Sequence, residues 1–309
     1  MKEELFLETI KSIIGDKYIG DDCAYLEDLG IVVSQDSLVE DVHFKTEYTT
    51  PYQLGFKSMM VNLSDISASG AEPKYVSIAL SLPKNIENDF IKEFYKGAKD
   101  ALKDVEIIGG DITGSEKIVV SVCIIGKVGN RRISSRANAK VGQVVITTGV
   151  YGSSAGGLEL LLQGKNAPKS LIDAHLMPQA QLEVSKNIAQ NINEDYAMMD
   201  TSDGLADALY KIAKASNKKL KIDFEKIRFD EELKKVFSQN YREKILFGGE
   251  DYQIVATVPK DILSSLDEVY VIGEVLELEK NETPYVEFEI ESEKLKINSL
   301  EKCYNHFKL

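Results

Sequence analysis

The 309-residue sequence has no excess of positive charge, no apolar run long enough to cross a bilayer and no cysteines in metal-ligand spacing. Each absence closes a class of function. The formal net charge is -13, and a nucleic-acid backbone wants a basic face, so nucleic acid is not an expected partner. The longest apolar stretch, around Ile118 to Ile125, is interrupted by Ser121 and falls short of the ~20 residues that a spanning helix needs. A membrane partner is not expected either. Cys23, Cys123 and Cys303 are odd in number and far apart, which reads as reduced thiols in a cytoplasmic protein. Met1-Lys2-Glu3-Glu4 is acidic where an export signal would be basic, in line with the same location. The common nucleotide signatures are missing as well. Gly164-Lys165 lacks the earlier Gly of a G-x-x-x-x-G-K-[ST] loop and is followed by Asn166, and the protein-kinase catalytic loop and D-F-G are absent.

What is present is ordinary for a soluble enzyme: 43% hydrophobic and 28% charged residues. The length exceeds the ~250–300 residues at which one core stops growing, so two domains are expected. Apolar spacing predicts a helix over 3–14 ended by Gly15, a strand at Ile31-Val32-Val33, and a helix from Pro51 to Ser69 stopped by Gly70. A strand from Tyr75 to Leu82, a helix over 86–103 and a strand over 118–128 follow. The polar, basic segment from Gly129 to Gly142 reads as a linker, which puts the domains at 1–137 and 138–309. Beyond it come a strand at Val144–Thr148, a helix at Ser153–Leu162, and helices near 178–191 and 203–216. Strands are expected near 219–224, 252–258, 269–275 and 284–290. Both halves mix strands and helices, as α+β or α/β units do.

The informative residues are aspartates at the ends of elements. Gly20-Asp21-Asp22 follows a loop, and Ser34-Gln35-Asp36 closes a strand. Asp65 lies on a helix, and Gly109-Gly110-Asp111 reads as a tight turn. Asp200-Thr201-Ser202-Asp203-Gly204 and Gly248-Gly249-Glu250-Asp251 complete the set. One such Asp is more often a turn residue or a helix cap than a ligand. Their recurrence beside glycines suggests a site where a ligand approaches the backbone closely. Magnesium takes oxygen ligands from one or two carboxylates together with substrate phosphates. A chain this acidic would bind a triphosphate only through such cations. Gly152-Ser153-Ser154-Ala155-Gly156-Gly157 could cradle phosphate at a helix start, or could be a small-residue turn packed on the sheet.

These strings together resemble the thiamine-phosphate kinase family, within the superfamily of aminoimidazole ribonucleotide synthetase and selenophosphate synthetase. The matching stretches are Ile19 to Ala24, Asp36 to Phe44, Lys57 to Pro73, Ile108 to Thr113, Asp200 to Leu205, Gly248 to Tyr252 and Tyr304-Asn305-His306-Phe307. The resemblance implies two α/β domains, each a mostly antiparallel sheet covered by helices, and a homodimer paired through the first-domain sheets. It implies magnesium at Asp22, Ser34, Gln35, Asp36, Asp65, Asp111, Asp200 and Asp203. It implies ATP at Tyr95, Gly110, Asp111, Arg136 and Ser202, and thiamine monophosphate at His43, Glu250 and Tyr304. ATP would lie between subunits or domains. The acceptor phosphate is already an anion near neutral pH, since its second pKa is about 6, so no general base is needed.

Some positions depart from the family pattern. Gln35 stands where Thr is frequent, Met177 and Gln181 where Arg is frequent, and Gln143 where Asp is frequent. Another acceptor within the superfamily, a metal-dependent phosphohydrolase and a non-catalytic binding protein remain open alternatives.

Overall fold

A computed structural model describes residues 2–304, with Glu3 and Glu4 described by backbone alone. The Asn305-His306-Phe307 part of the C-terminal motif lies outside the described residues. The first half runs α1 (Lys2–Ile14), β1 (Ala24–Leu26), β2 (Ile31–Val39), α2 (Pro51–Ser69), β3 (Glu72–Leu82), α3 (Asn88–Leu102), β4 (Glu106–Gly114) and β5 (Val119–Lys127). Its sheet has the order β1-β2-β5-β3-β4, antiparallel except between β3 and β4. The second half runs β6 (Val144–Thr148), α4 (Ser153–Leu162), α5 (Lys169–Leu176), α6 (Leu182–Asn191), β7 (Met198–Asp200), α7 (Leu205–Ser216) and β8 (Lys219–Asp223). It continues with α8 (Glu231–Val236), α9 (Tyr241–Phe247), β9 (Ile254–Val258), β10 (Val269–Leu276), β11 (Tyr285–Ile290) and β12 (Glu293–Ile297). Its sheet has the order β12-β11-β8-β10-β6-β9-β7, antiparallel except between β11 and β8. Both sheets are thus mixed and mostly antiparallel.

The helix that positions the site is α2. Thr50 caps it: its hydroxyl accepts from Gln53 N at 3.2 Å, while Gln53 Oε1 accepts from Thr50 N at 3.0 Å. Pro51 suits the first turn, where a backbone N–H has no helical partner. Gly70, at φ 83°, ends the helix in the left-handed conformation. Nearly every residue from Leu54 onward is buried. The helix touches β2 and β5 on one side and β7, α5 and α6 of the second half on the other. It also packs tightly on α3. A Cβ at Gly55 would stand 2.0 Å from Phe94 O, and one at Gly97 1.9 Å from Tyr52 O.

Strand alternation sorts the residues of β2. Val32, Ser34 and Leu38 are buried on the α2 side, and Gln35 and Ser37 point to the other, exposed face. Gly109-Gly110-Asp111 is not the tight turn its composition suggests. It lies inside β4, the edge strand, whose nine residues are all exposed. Gly110 is needed there because a Cβ would stand 1.7 Å from Ile78 O of the neighbouring strand. The basic residues of the connecting segment are engaged in holding it down. Arg131 donates to Ala71 O at 2.7 Å, and Arg132 pairs with Asp195 at 2.7 Å.

Candidate active site

Three elements bring their carboxylates together. Asp22 comes from the loop before β1, Asp65 from α2 and Asp200 from the end of β7, with ligand oxygens all within 4.8 Å of one another. The Ser34 hydroxyl donates to Asp65 Oδ2. Ser64, one residue before Asp65, donates to Asp200 Oδ2 at 2.7 Å. Asp36 shares the buried face of β2, and its backbone N–H donates to Asn62 Oδ1 at 3.1 Å. The Arg136 guanidinium pairs with Asp22 at 2.5 Å, and its backbone N–H donates to Asp21 Oδ1 at 2.7 Å.

One guanidinium is too little for this much acid. Burial, then Asp36, Asp200 and Asp22, pushes the Asp65 carboxyl well above the usual range. Burial and then Asp22 push Asp200 up to about 7. Asp200 Oδ1 is buried with no donor among the described residues. Three converging carboxylates, one with an orphaned oxygen, and a hydroxyl form an all-oxygen donor set short of positive charge. That set fits a hard divalent cation such as magnesium.

A pocket of about 360 Å³ adjoins the cluster at Asp36 and contains Ser202, Asp203, His43, Glu250 and Tyr304. His43 Nδ1 accepts from Val39 N at 3.0 Å, so the neutral ring carries its proton on Nε2. Glu250 sits at φ 65°, held there by its N–H donating to Ser202 O at 2.7 Å. Its oxygens meet Lys57 Nζ at 3.1 Å and His175 Nδ1 at 3.3 Å. Burial alone would raise the Glu250 carboxyl. Lys57 outweighs that and holds it below the usual range. Burial and Lys57 bring His175 down to about 3, so its ring is neutral. Asp203 pairs with Lys211 at 3.1 Å.

Four expected site residues stand apart from this assembly. Gln35 points to the opposite face of β2, where its Nε2 donates to Ser121 Oγ at 3.2 Å. Gly110 lies in one row with Asp36 through Val122 and Ile78. Three strand spacings of about 4.8 Å separate them, roughly 14 Å. Asp111, the next residue, faces the same side as Gln35. Tyr95 on α3 packs against the first-half core, edge-on to Phe94 at 5.5 Å, and does not line the pocket that adjoins the cluster.

Lys57, Asn62, Ser64 and His175 belong to the assembly but were not singled out from sequence. A lysine and an asparagine within an otherwise buried helix were the available signal. The Gly/Ser-rich stretch at 152–157 is a helix start, Gly152 and the first turn of α4, packed against α5, α8 and α9 and not on the sheet. Its N–H groups are already used: Gly152 N and Ser154 N donate to Asp251 at 2.6 and 3.0 Å. Asp251→Ala strips both, and unmade buried hydrogen bonds of this kind cost about 3 kcal/mol. A thermal melt of that variant is expected about 5 °C below wild type. Gln143 is buried and satisfied, donating to Glu194 at 3.0 Å and accepting from Thr257 at 2.8 Å. Met177 packs against both cores, and Gln181 donates to Gln179 O at 3.0 Å.

Known proteins share the sequence family and the fold. The family AIR synthase related protein, N-terminal domain, matches residues 20–128, and its C-terminal domain matches residues 140–285. The thiamine-monophosphate kinase of Aquifex aeolicus is 37% identical over 88% of this chain and 90% of its own. The chain belongs to the thiamine-monophosphate kinase family. The kinase of Bacillus subtilis is 34% identical over 95% of this chain and 94% of its own. A solved family structure, AaThiL complexed with AMPPCP and TMP, superposes with a TM-score of 0.84 at 36% identity. That match covers 94% of this chain and 95% of the other.

Proposed function

We propose that this chain transfers the γ-phosphate of ATP to thiamine monophosphate, giving ADP and thiamine diphosphate, the last step in making that diphosphate. The observation that supports this best is the junction of two unlike sites. A carboxylate cluster short of positive charge adjoins, through Asp36, a pocket offering an imidazole donor, an acid and an aromatic ring. The ligand pair of the related AaThiL complex, AMPPCP and TMP, is an ATP analogue with an acceptor of this kind.

In this reading Asp22, Asp65 and Asp200 hold magnesium, with Ser34, Asp36 and Asp203 beside them. The bound ions supply positive charge that screens the repulsion between the two phosphate groups and favours in-line attack. Arg136 and Ser202 contact ATP. His43 offers its Nε2–H to the acceptor phosphate, and Glu250 and Tyr304 flank the thiamine rings. No side chain has to take a proton, because the acceptor phosphate is anionic near neutral pH. His175 is suited to no such role, since its Nδ1 is engaged with Glu250 and Ser154.

Gly110, Asp111 and Gln35 would enter through a second copy of the chain, whereas Tyr95, packed on the helix-covered side of the sheet, would not. A homodimer paired over the exposed face of the first sheet would carry Gly110 and Asp111 of one copy toward nucleotide bound by the other. The exposed edge position of β4 and the exposed Gln35 and Ser37 on that face support this. Residues 1–137 would then be the nucleotide and pairing domain, and 138–309 the domain that completes both sites. A cytoplasmic setting accords with ATP as co-substrate and with the reduced thiols of Cys23 and Cys123.

Coupled detection of ADP tests the reading. Release that requires thiamine monophosphate, with thiamine diphosphate appearing in equal amount, is the expected result. ADP release without acceptor would indicate a hydrolase, and binding without release a sensor.

A further inference from the structure

The reaction described above makes no use of Lys57, yet its ammonium occupies a costly position. The side chain is 2% exposed, and its Nζ lies 3.1 Å from each oxygen of Glu250. The two residues come from different halves of the chain. Lys57, Val61 and Ser64 fall at i, i+4 and i+7, on one face of α2. Val61 lines the acceptor pocket, and Ser64 donates to Asp200 at 2.7 Å. One helix face therefore fixes both the pocket acid and a member of the carboxylate cluster.

A lone carboxylate in a half-buried pocket would favour any cation that entered. Glu250 is not alone. An ammonium covers both its oxygens, and the neutral His175 ring stands 3.3 Å from one of them. Seen from the pocket, the pair carries almost no net charge. A cationic ring placed beside it is repelled by Lys57 nearly as strongly as it is attracted by Glu250, because both charges lie within a few ångströms in a poorly screened setting.

We propose that Lys57 is a positioning residue that sets specificity in the acceptor pocket: by compensating Glu250 it makes the pocket indifferent to the ring's positive charge, so the acceptor is selected by its phosphate. This rests on the reading of the chain as a thiamine-monophosphate kinase. Its consequence is that thiamine, which has the same cationic ring and no phosphate, is held weakly and leaves the pocket free for the phosphorylated acceptor.

The test is binding by titration calorimetry at pH 8, on the full chain. Three probes are compared: thiamine monophosphate, thiamine, and a neutral isostere of thiamine with an uncharged aromatic ring in place of the thiazolium. Wild type should bind thiamine and the isostere within about threefold of each other. Lys57→Met should tighten thiamine by about tenfold or more while leaving the isostere unchanged, as expected when a nearby like charge is removed. Lys57→Arg should behave as wild type, and the double variant Lys57→Met, Glu250→Gln should lose the new preference. A merely structural role would weaken all three probes together. The proposal is overturned if wild type prefers the cation by tenfold or more, or if Lys57→Met leaves the preference unchanged. The wild-type comparison decides even if Lys57→Met does not fold. Failure to bind thiamine monophosphate would overturn the kinase reading itself, so the two failures are distinct.

Discussion

Asp65→Asn is expected to lower turnover by about a thousandfold, beyond the ten- to hundredfold typical of groups that only support a metal ligand. The same variant should melt no lower than wild type when divalent cations are absent. Both expectations come from one arrangement. Asp65 is buried among Asp22 and Asp200, with carboxylate oxygens within 4.8 Å of each other. Asparagine keeps the shape and still accepts from Ser34, but it removes one of three mutually repelling charges. Adding magnesium should raise the melting temperature of the wild type, since a ligand bound only by the folded state stabilises it by about 2.7 kcal/mol at a hundred times its Kd. In Asp65→Asn that rise should shrink or vanish. Near-normal turnover of the variant at low magnesium would mean that the cluster is not the cation site.

Gly97→Val should have the largest effect on stability. The Cβ alone would stand 1.9 Å from Tyr52 O, and backbone cannot give way as a flexible side chain can. Helices α2 and α3 would have to separate, at a cost of at least about 3 kcal/mol by comparison with other overpacked cores. For a chain this long that is a fall of about 5 °C or more in melting temperature. The damage would reach the site, because α2 carries Lys57, Ser64 and Asp65. Gly114→Ala is the control: its Cβ would meet nothing within 4 Å, and its melt should match wild type. A Gly97→Val protein that melts like Gly114→Ala would contradict the packing described for α2.

Local signals made much of this fold readable. Pro51 and Gly70 bound α2 in the sequence as they do in the structure, while the Thr50–Gln53 cap emerges only there. The second-half strands at Val144–Thr148 and Ile254–Val258 were visible as short apolar runs. β4 was not. Gly109-Gly110-Asp111 has turn composition, and the real reason for Gly110, the carbonyl of Ile78 lying against it, is a contact across 32 positions of sequence. The short helices α8 and α9 were passed over for lack of a sustained apolar period.

The site divides in the same way. The aspartates could be named because each stands in a short motif, and the family resemblance tied those motifs together. Strand alternation alone separates Ser34 and Asp36 from Gln35. The spacing of roughly 14 Å between Asp36 and Gly110 needed the strand order, which no local pattern encodes. Lys57 and His175 acquire meaning only through Glu250, a partner far along the chain in both cases. The Gly/Ser-rich helix start at 152–157 illustrates the opposite limit: its composition allowed a phosphate cradle, and Asp251 closes it.

The claim at the centre of this account is direct phosphoryl transfer, with carboxylates that hold cations and no residue acting as a base. ATP labelled at its γ-phosphate, incubated with the protein, magnesium and thiamine monophosphate, tests it most directly. The label should appear in the terminal phosphate of thiamine diphosphate, in step with ADP, and not as inorganic phosphate. Label recovered as inorganic phosphate, with or without the acceptor, would contradict it.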